Sequence, residues 1–520
     1  MTADRLTERT DATPSVPSPL RAFLAVLAAG VALRLALAYV VFPDQGFATD
    51  MRLFDTWAEA LAKSGPGSFY ASTSSDYPPG YMFVLWAIGW LGSVVGPALG
   101  VSMTSITVAL LKLPPIAADV GIAALLYRAG SRWFGGRSGV VAAALYLFVP
   151  ISWYDSALWG QVDGVAALFM LAAVLAAAEG RPRIAILAAV AAALVKPQGL
   201  AVFVVVLPVL LRRAVIAPPG SRWRGALGLA GTLALGLVAA TAPLLPFDIA
   251  RYADPHLAGI PGIGQIDGFV GLLRSTADEF SVLTANAFNM WSLAGSSPLA
   301  SSASGSGSWT SDSMIVAGGM AASTLGAVLL ALVGLAVALG LLLRDDRRLI
   351  VLGFAVVAFA FYALPTRVHE RYLFAFFPAG ALLASPIAGG VVTYLGVGLM
   401  NLINVHAVLG SGGSFGGFGG AGRGGFGGPG GFGPGRAGSG GVAGFGGSGG
   451  FGGGGFGSAS PISQISLPFT DLARSEFLVT AVAVGQTLAF VALFAIWIVA
   501  AYGPLLRGAF AHRQAAAASL

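Results

Sequence analysis

The chain has 520 residues, of which 56% are hydrophobic and only 10% charged, and its mean hydropathy is +0.80. A soluble domain carries about 25% charged residues, so an ordinary water-facing surface is excluded and the apolar excess must face lipid. The formal net charge of +6 sits in short basic clusters between apolar runs, the pattern of a membrane protein rather than of a nucleic-acid partner, and the absence of Cys removes thiol catalysis, disulfides and Cys-ligated metal.

In chain order, residues 1–19 are polar, Pro-rich and basic at Arg5 and Arg9, and read as a disordered cytoplasmic tail. The apolar run from Leu20 to Phe42 is too long for a cleaved signal peptide and has no obvious cleavage site. It predicts a first spanning helix from about Arg21 to Phe42. A polar stretch from Pro43 to about Pro79 follows. Further spans are expected at about 104–127, 138–153, 160–178, 184–198, 199–211, 225–245, 313–343, 349–364, 372–386, 387–408 and 477–502.

Alternating these spans puts five basic clusters on the side of the N-terminus: Arg128/Arg132/Arg137, Arg181/Arg183, Arg212/Arg213/Arg222/Arg224, Arg344/Arg347/Arg348 and Arg507/Arg513. That side is expected to be cytoplasmic, with both termini inside. Loops 43–103, 154–159, about 247–312 and 365–371 then lie outside. Counting Tyr81 to Gly100 as a span would flip every later cluster, so this segment reads as a re-entrant or interfacial helix. The short pair 184–198 and 199–211 reads as broken helices meeting near a cavity. The fold class is all-α, polytopic and transmembrane, with about twelve spans. Residues 20–408 form the main transmembrane module. A Gly/Phe-rich outer loop at 409–460 cannot bury enough apolar surface to order itself. Residues 461–520 supply a last span and a cytoplasmic tail.

Soluble-type motifs are missing: there is no phosphate loop, HExxH or GxSxG, and the four His are scattered. Charged residues near a membrane are costly and usually functional, and here they gather at the outer ends of helices. Asp50 lies in FATDMRLFDTWAEAL, on an amphipathic interfacial helix with Arg52, Asp55 and Glu59, anchored by Phe54 and Trp57. Asp76-Tyr77-Pro78-Pro79 holds two prolines that stiffen the backbone and extend Tyr77, fixing the direction of Asp76. Either Asp alone also suits a helix cap or a turn. Gln161 and Asp163 open an apolar helix, where a carboxylate needs a partner. Lys196, in Lys196-Pro197-Gln198, is a candidate for that partner or for an anionic substrate. Arg367, His369 and Arg371, flanking Glu370, concentrate donors suited to phosphate, on the face where the positive-inside trend does not place them. Asn286, Asn289 and Trp291 suit a sugar ring, and equally suit capping and anchoring a helix.

DYPPGY, WGQVDG, KPQ and VHERYLF occur in this order. Together they resemble the GT-C superfamily of membrane glycosyltransferases over about residues 20–385. The closest echoes are dolichyl-phosphate-glucose-dependent glucosyltransferases and bacterial relatives of the GPI mannosyltransferase II family. DYPP and VHER at this spacing carry the resemblance; KPQ and NAFNMW support it. This chain departs in having Arg371 where those glucosyltransferases have Lys, Asp163 where they have Asn, and a Gly-rich loop without counterpart. The resemblance implies a hexose or pentose moved from a polyprenyl-phosphate-linked donor, with inversion, on the outer face of a bacterial plasma membrane. The acceptor would be a glycolipid, a protein or a wall glycan. Neither metal nor other cofactor is implied. By matching position, Asp50 is the implied base, and His369 and Arg371 stand at the donor-phosphate end, joined there by Arg367 and Lys112. Asp76, Tyr77, Gln161, Asp163, Lys196, Gln198, Asn286, Asn289, Trp291 and Glu370 are the supporting set. A transporter or lipid flippase is the rival class. It accounts for the spans and broken helices, but no internal repeat is visible and the ionisable residues sit at helix ends rather than at the midplane.

Overall fold

A computed structural model describes residues 18–73, 75–216, 221–278, 281–294, 310–411 and 461–518, with side chains described as far as residue 504. Nearly all of the expected disordered tail at 1–19 and of the Gly/Phe-rich loop at 409–460 lies outside these residues. The described chain is a polytopic helical membrane protein. Eight of its helices are long and apolar enough to cross a membrane, nine if the bent pair Gly136–Phe148 and Pro150–Trp159 counts as one span. Three shorter apolar helices, Asp163–Ala178, Pro182–Val195 and Tyr372–Ala384, join them.

Helix α1 (Pro19–Ala36) runs on through a π-helical turn, Leu37–Val41. Helix α2 (Ala48–Ser64) buries Met51, Phe54, Trp57, Ala58 and Leu61, a stripe at helical spacing that leaves the opposite face polar. Helix α3 (Pro79–Leu99) starts on Pro79 and stops at Gly100, whose φ is +68°. Proline is pre-shaped for the first helical position and glycine for a left-handed cap. Helices α4 (Met103–Leu111) and α5 (Leu113–Phe134) are separated by a break at Lys112. The expected span 104–127 lies within Met103–Phe134, which is apolar and long enough to count as one span, and Pro114 and Pro115 follow its one-residue break because proline cannot continue the hydrogen-bond ladder of α4.

The segment expected to be re-entrant or interfacial is a regular 21-residue helix whose length and apolar composition would also suffice to cross a membrane. It forms a hairpin with α4. A Cβ on Gly92 would come within 2.6 Å of Thr107 Oγ1, so glycine permits the close approach. The residues flanking the hairpin contact two adjoining segments, 159–162 and 45–47, which are joined by the Phe47 N–H to Trp159 carbonyl bond. Tyr77 Oη donates to Gln161 Oε1 at 3.1 Å, and Lys112 Nζ donates to the Gln45 carbonyl at 2.6 Å.

The remaining helices are α6 (Gly136–Phe148), α7 (Asp163–Ala178), α8 (Pro182–Val195), α9 (Phe203–Val215), α10 (Arg222–Thr241), α11 (Ile263–Asp278), α12 (Ala322–Leu343), α13 (Arg347–Ala363), α14 (Phe376–Ala384), α15 (Ala388–Leu409) and α16 (Glu476–Ala518). The expected span 313–343 begins only at Ala322, because residues 310–321 form short bridges (Val282 to Ser311, Ile315 to Ala321) and carry Gly318 and Gly319 at positive φ. The break in the pair 184–198/199–211 falls at Lys196-Pro197.

Helix α7 separates two kinds of chemistry. Asp163 opens it; Glu179 follows its last residue, about 24 Å away by helical rise. Glu179 gathers Arg128, Arg132 and Arg181 at 3.4–3.6 Å. Asp345, between α12 and α13, takes Arg213 at 2.7 Å and Arg212 at 3.7 Å. These five arginines therefore collect at the end of α7 opposite Asp163, where Arg213 also reaches the Ala177 carbonyl.

Inside the bundle a buried network ties α1 to α5 and α6. Arg34 Nε donates to Asp119 Oδ2 at 2.7 Å, its Nη groups reach the Gly30 and Leu147 carbonyls and Ser152 Oγ, and Tyr146 Oη donates to Asp119 Oδ1 at 2.5 Å. Arg34 and Asp119 are fully buried. Removing one partner strands the other charge away from water, which typically costs about 3–5 kcal/mol. We expect Arg34→Ala and Asp119→Ala each to lower the unfolding midpoint in detergent sharply, and the pair Arg34→Met with Asp119→Leu to recover most of it. Thermal melts of the four proteins check this.

Candidate active site

The site is built on the turn between α6 and α7. A π-helical turn, Tyr154–Trp159, is ended by Gly160 at φ +82°. A Cβ on Gly160 would lie 2.2 Å from Met51 Sδ, and one on Gly46 would lie 3.0 Å from the Trp159 carbonyl. Both glycines are needed for α2 to lie against the turn. The Phe47 ring stacks on Trp159 with centroids 4.6 Å apart, and its N–H donates to the Trp159 carbonyl at 3.2 Å. These contacts bring the first turn of α2 to the indole. Asp50 then accepts from Trp159 Nε1 at 2.8 Å and from Gln161 Nε2 at 2.6 Å, both on Oδ2. Among the described residues no hydrogen bond reaches Asp50 Oδ1.

One cation faces this carboxylate and a second lies behind Gln161. Arg371 lies over the Trp159 ring at 5.2 Å. Its Nη1 donates to Glu370 Oε1 at 2.7 Å, its Nη2 stands 3.8 Å from Asp50 Oδ2, and its Nε stands 3.5 Å from Asp163 Oδ2. Nε is buried and makes no hydrogen bond. Lys196 donates to Asp163 Oδ1 at 2.9 Å and to Gln161 Oε1 at 3.3 Å, and lies over the Tyr77 ring at 5.4 Å. The partner expected for Asp163 is thus in place. A cavity of about 250 Å³ opens beside these groups, with Asp76, Tyr77, Lys196, Gln198, His369 and Arg371 in its wall. Asp50 adjoins the cavity through Arg371 and is not in the wall.

The electrostatics follow from burial. Burial and the nearby cations Arg371 and Lys196 push the His369 imidazole well below the ordinary histidine range. Burial raises the Asp76 carboxyl, offset in part by its own backbone N–H and by Lys196. Burial raises Glu370 as well, with Arg371 opposing. For Arg371, burial works against the charge, but Asp50, Glu370 and Asp163 outweigh it and hold the guanidinium above its usual range.

Other expected residues have different surroundings. Arg367 is paired with Asp312 at 2.6 Å and with Asp278 at 3.0 Å. It also adopts a left-handed φ of +66°, a conformation that costs a non-glycine residue about 1 kcal/mol or more. Although it lines the cavity, its guanidinium is committed to those carboxylates. Lys112 is directed to Gln45 and is not in the cavity wall. Asn289 bridges the Tyr362 carbonyl and the Trp291 N–H, and Trp291 Nε1 donates to the Leu364 carbonyl. Asn286, at φ +72°, offers its carbonyl to Asn404 Nδ2. These three anchor the 281–294 loop under residues 362–369 and are absent from the cavity wall; the capping alternative describes them. Sequence reasoning missed Asp278 and Asp312, whose pairing with Arg367 spans 89 and 55 positions. It also missed Asn401, which donates to the Glu370 carbonyl at 3.0 Å from within the apolar α15.

No protein-family model and no curated protein sequence matches this chain. Among solved structures it is similar to the oligosaccharyltransferase of Archaeoglobus fulgidus in its apo form, at 16% identity and a TM-score of 0.37 over 72% of this chain. The same enzyme tethered to an acceptor peptide gives 14% identity and 0.41 over 73%. The chain spans about half the length of that enzyme, 51% and 50% in the two structures. It is also similar to ArnT from Cupriavidus metallidurans bound to undecaprenyl phosphate, at 14% identity and 0.31, over 75% of this chain and 79% of ArnT.

The depressed His369 has a thermodynamic consequence. In the unfolded chain its pKa is about 6.5. Below that value the unfolded state binds a proton that the folded state refuses, so stability falls as pH is lowered through 6.5. Between pH 7 and pH 5.5 the wild type should lose about 1 kcal/mol more than His369→Gln, which cannot bind that proton. Unfolding midpoints of both proteins across this range measure the difference, which separates His369 from the opposing contribution of Glu370.

Proposed function

We propose that this protein is an inverting GT-C glycosyltransferase that moves a hexose or pentose from a polyprenyl-phosphate-linked donor to an acceptor on the extracytoplasmic face. In this reading twelve helices cross the membrane, with both termini in the cytoplasm and the cavity outside. The observation that carries it is the pair of unspent groups beside one cavity. Arg371 lines the cavity and, among the described residues, spends its guanidinium on a single hydrogen bond, to Glu370, and among the same residues no hydrogen bond reaches Asp50 Oδ1, while the two side chains approach to 3.8 Å.

An unspent guanidinium N–H suits an anionic phosphate, and an unspent carboxylate oxygen suits a proton. In the reaction the acceptor hydroxyl oxygen forms a bond to the anomeric carbon from the side opposite the phosphate. Its proton passes to Asp50 Oδ1. The bond from the anomeric carbon to the phosphate oxygen breaks, and its electron pair stays on the polyprenyl phosphate. Trp159 and Gln161 fix the base through Oδ2. Arg371 and Lys196 stabilise the charge left on the phosphate, which is worth most where water is excluded. His369, held neutral, donates or accepts one hydrogen bond without adding charge. Tyr77 and Gln198 line the space for the sugar. A single displacement with one carboxylate predicts inversion, by analogy with the two-carboxylate logic of glycosidases.

Asp76 supports a second assignment of the base, because it lines the cavity and Asp50 does not. Transfer from mannosyl, glucosyl and arabinosyl polyprenyl-phosphates by purified protein tests both. Asp50→Asn is expected to lower kcat by about 10²–10⁴ with donor binding retained, and Arg371→Gln by about 10²–10³. A full loss in Asp76→Asn with Asp50→Asn active would transfer the base role to Asp76. Wild-type protein that consumes none of these donors but carries a solute across liposomes would overturn the reading in favour of a transporter.

A further inference from the structure

The proposed base stands on a helix whose start is capped from the far end of the chain. Helix α2 begins at Ala48, and its N-cap residue, Phe47, provides no side-chain cap. The first N–H groups of a helix have no partner within it, and Ser, Thr, Asp or Asn normally supplies one. Here Gln464 does: its Oε1 accepts from Ala48 N at 2.9 Å, across 416 positions. The Gln464 amide is itself fixed, because Nε2 donates to the Leu409 carbonyl at 2.7 Å.

The same segment is tied down on both sides. Strand β2 (Ser463–Gln464) pairs in parallel with β1 (Gln45–Gly46). Ser463 N donates to the Asp44 carbonyl at 2.9 Å, and Ile465 N to the Gly46 carbonyl at 3.0 Å. Arg52 Nη2 donates to the Ile462 carbonyl at 3.0 Å. Ile462 and Ile465 are buried. Asp50 lies two residues beyond the capped N–H, and Gly46 and Phe47 are the residues that press against Trp159. The position of the Asp50 carboxylate against Trp159 Nε1 and Gln161 Nε2 is therefore set by this strand.

We infer that Gln464 is a positioning residue for Asp50, and that residues 462–465 form a strap that completes the active site. The inference rests on the proposed role of Asp50. It gives a function to chain that follows the Gly/Phe-rich stretch and that the sequence motifs leave out. The strap acts on the base and leaves Arg371, Lys196 and His369 untouched, so it should govern turnover and not donor binding.

The test uses full-length wild type, Gln464→Ala and Gln464→Glu. The Glu variant keeps an oxygen acceptor for Ala48 N but loses the donor to Leu409. Hydrogen exchange of a peptide covering residues 47–52 reads the cap without any assay of transfer. Faster exchange is expected in Gln464→Ala, with protection restored in Gln464→Glu. Transfer kinetics read the consequence: in Gln464→Ala kcat should fall about tenfold or more, as for a small misplacement of a reacting group, with the donor KM unchanged, and Gln464→Glu should recover most of the rate. Unchanged exchange in Gln464→Ala would overturn the cap. Faster exchange with wild-type kcat, or a KM effect alone, would overturn the positioning role. A wild type that is inactive on every polyprenyl-phosphate donor would instead overturn the reading of Asp50 and the positioning role with it, while the exchange data still decide the cap.

Discussion

Arg371 sits among three carboxylates, and the site is arranged around that fact. Asp50, Asp163 and Glu370 come from α2, α7 and the 365–371 loop, and all lie within 4 Å of one guanidinium. Burying a cation in a membrane protein is costly unless it is paired, and the pairing here fixes three separate pieces of chain relative to one another. Lys196 adds a fourth by bonding Asp163 and Gln161. Yet only one of the three Arg371 contacts is a hydrogen bond, to Glu370. The other two are longer approaches that hold the charges together and leave donor capacity on the guanidinium.

The surrounding structure keeps those charges where they are. Glycines at 46 and 160 allow α2 to reach the turn that carries Trp159 and Gln161. The loop 281–294 supports the other side, since Ala285 and Ala287 donate to the Val368 carbonyl and Arg367 donates to Val282. Arg367, in its left-handed conformation, is tied to Asp278 and Asp312, so its charge stabilises the loop that presents His369 and Arg371. At the opposite end of α7, Glu179 and Asp345 neutralise parts of the arginine clusters. The two ends of the bundle thus use ion pairs differently: one to hold an open site, the other to join helix ends.

Much of the fold was legible in the residues themselves. The apolar runs and the prolines and glycines at their ends located most helices, because a helix in lipid must satisfy its own backbone and therefore has a length and composition that can be read. Pro114-Pro115 mark a one-residue break at Lys112 inside a span, Met103–Phe134, that composition makes continuous. The 81–100 segment is apolar enough to cross a membrane, and hydropathy could not show what it packs on; the close approach of Gly92 to Thr107 pairs it with the helix that follows.

The same division holds for the site. The sequence determined its ingredients, since a carboxylate, lysine or guanidinium beside an apolar run stands out against a background of 10% charge. Asp50, Asp163, Lys196, Glu370 and Arg371 were all visible in this way. Their distances from one another were not, because 163, 196 and 371 are joined only by helix packing. Tertiary structure alone decided that Arg367 is spent on Asp278 and Asp312, that Asn289 and Trp291 hold a loop, and that Gln464 caps the helix of Asp50. Each of these depends on a partner 55 or more positions away. A local pattern records which groups a chain carries and which periodicity they follow; whether a polar group is free or already satisfied depends on what the fold places opposite it.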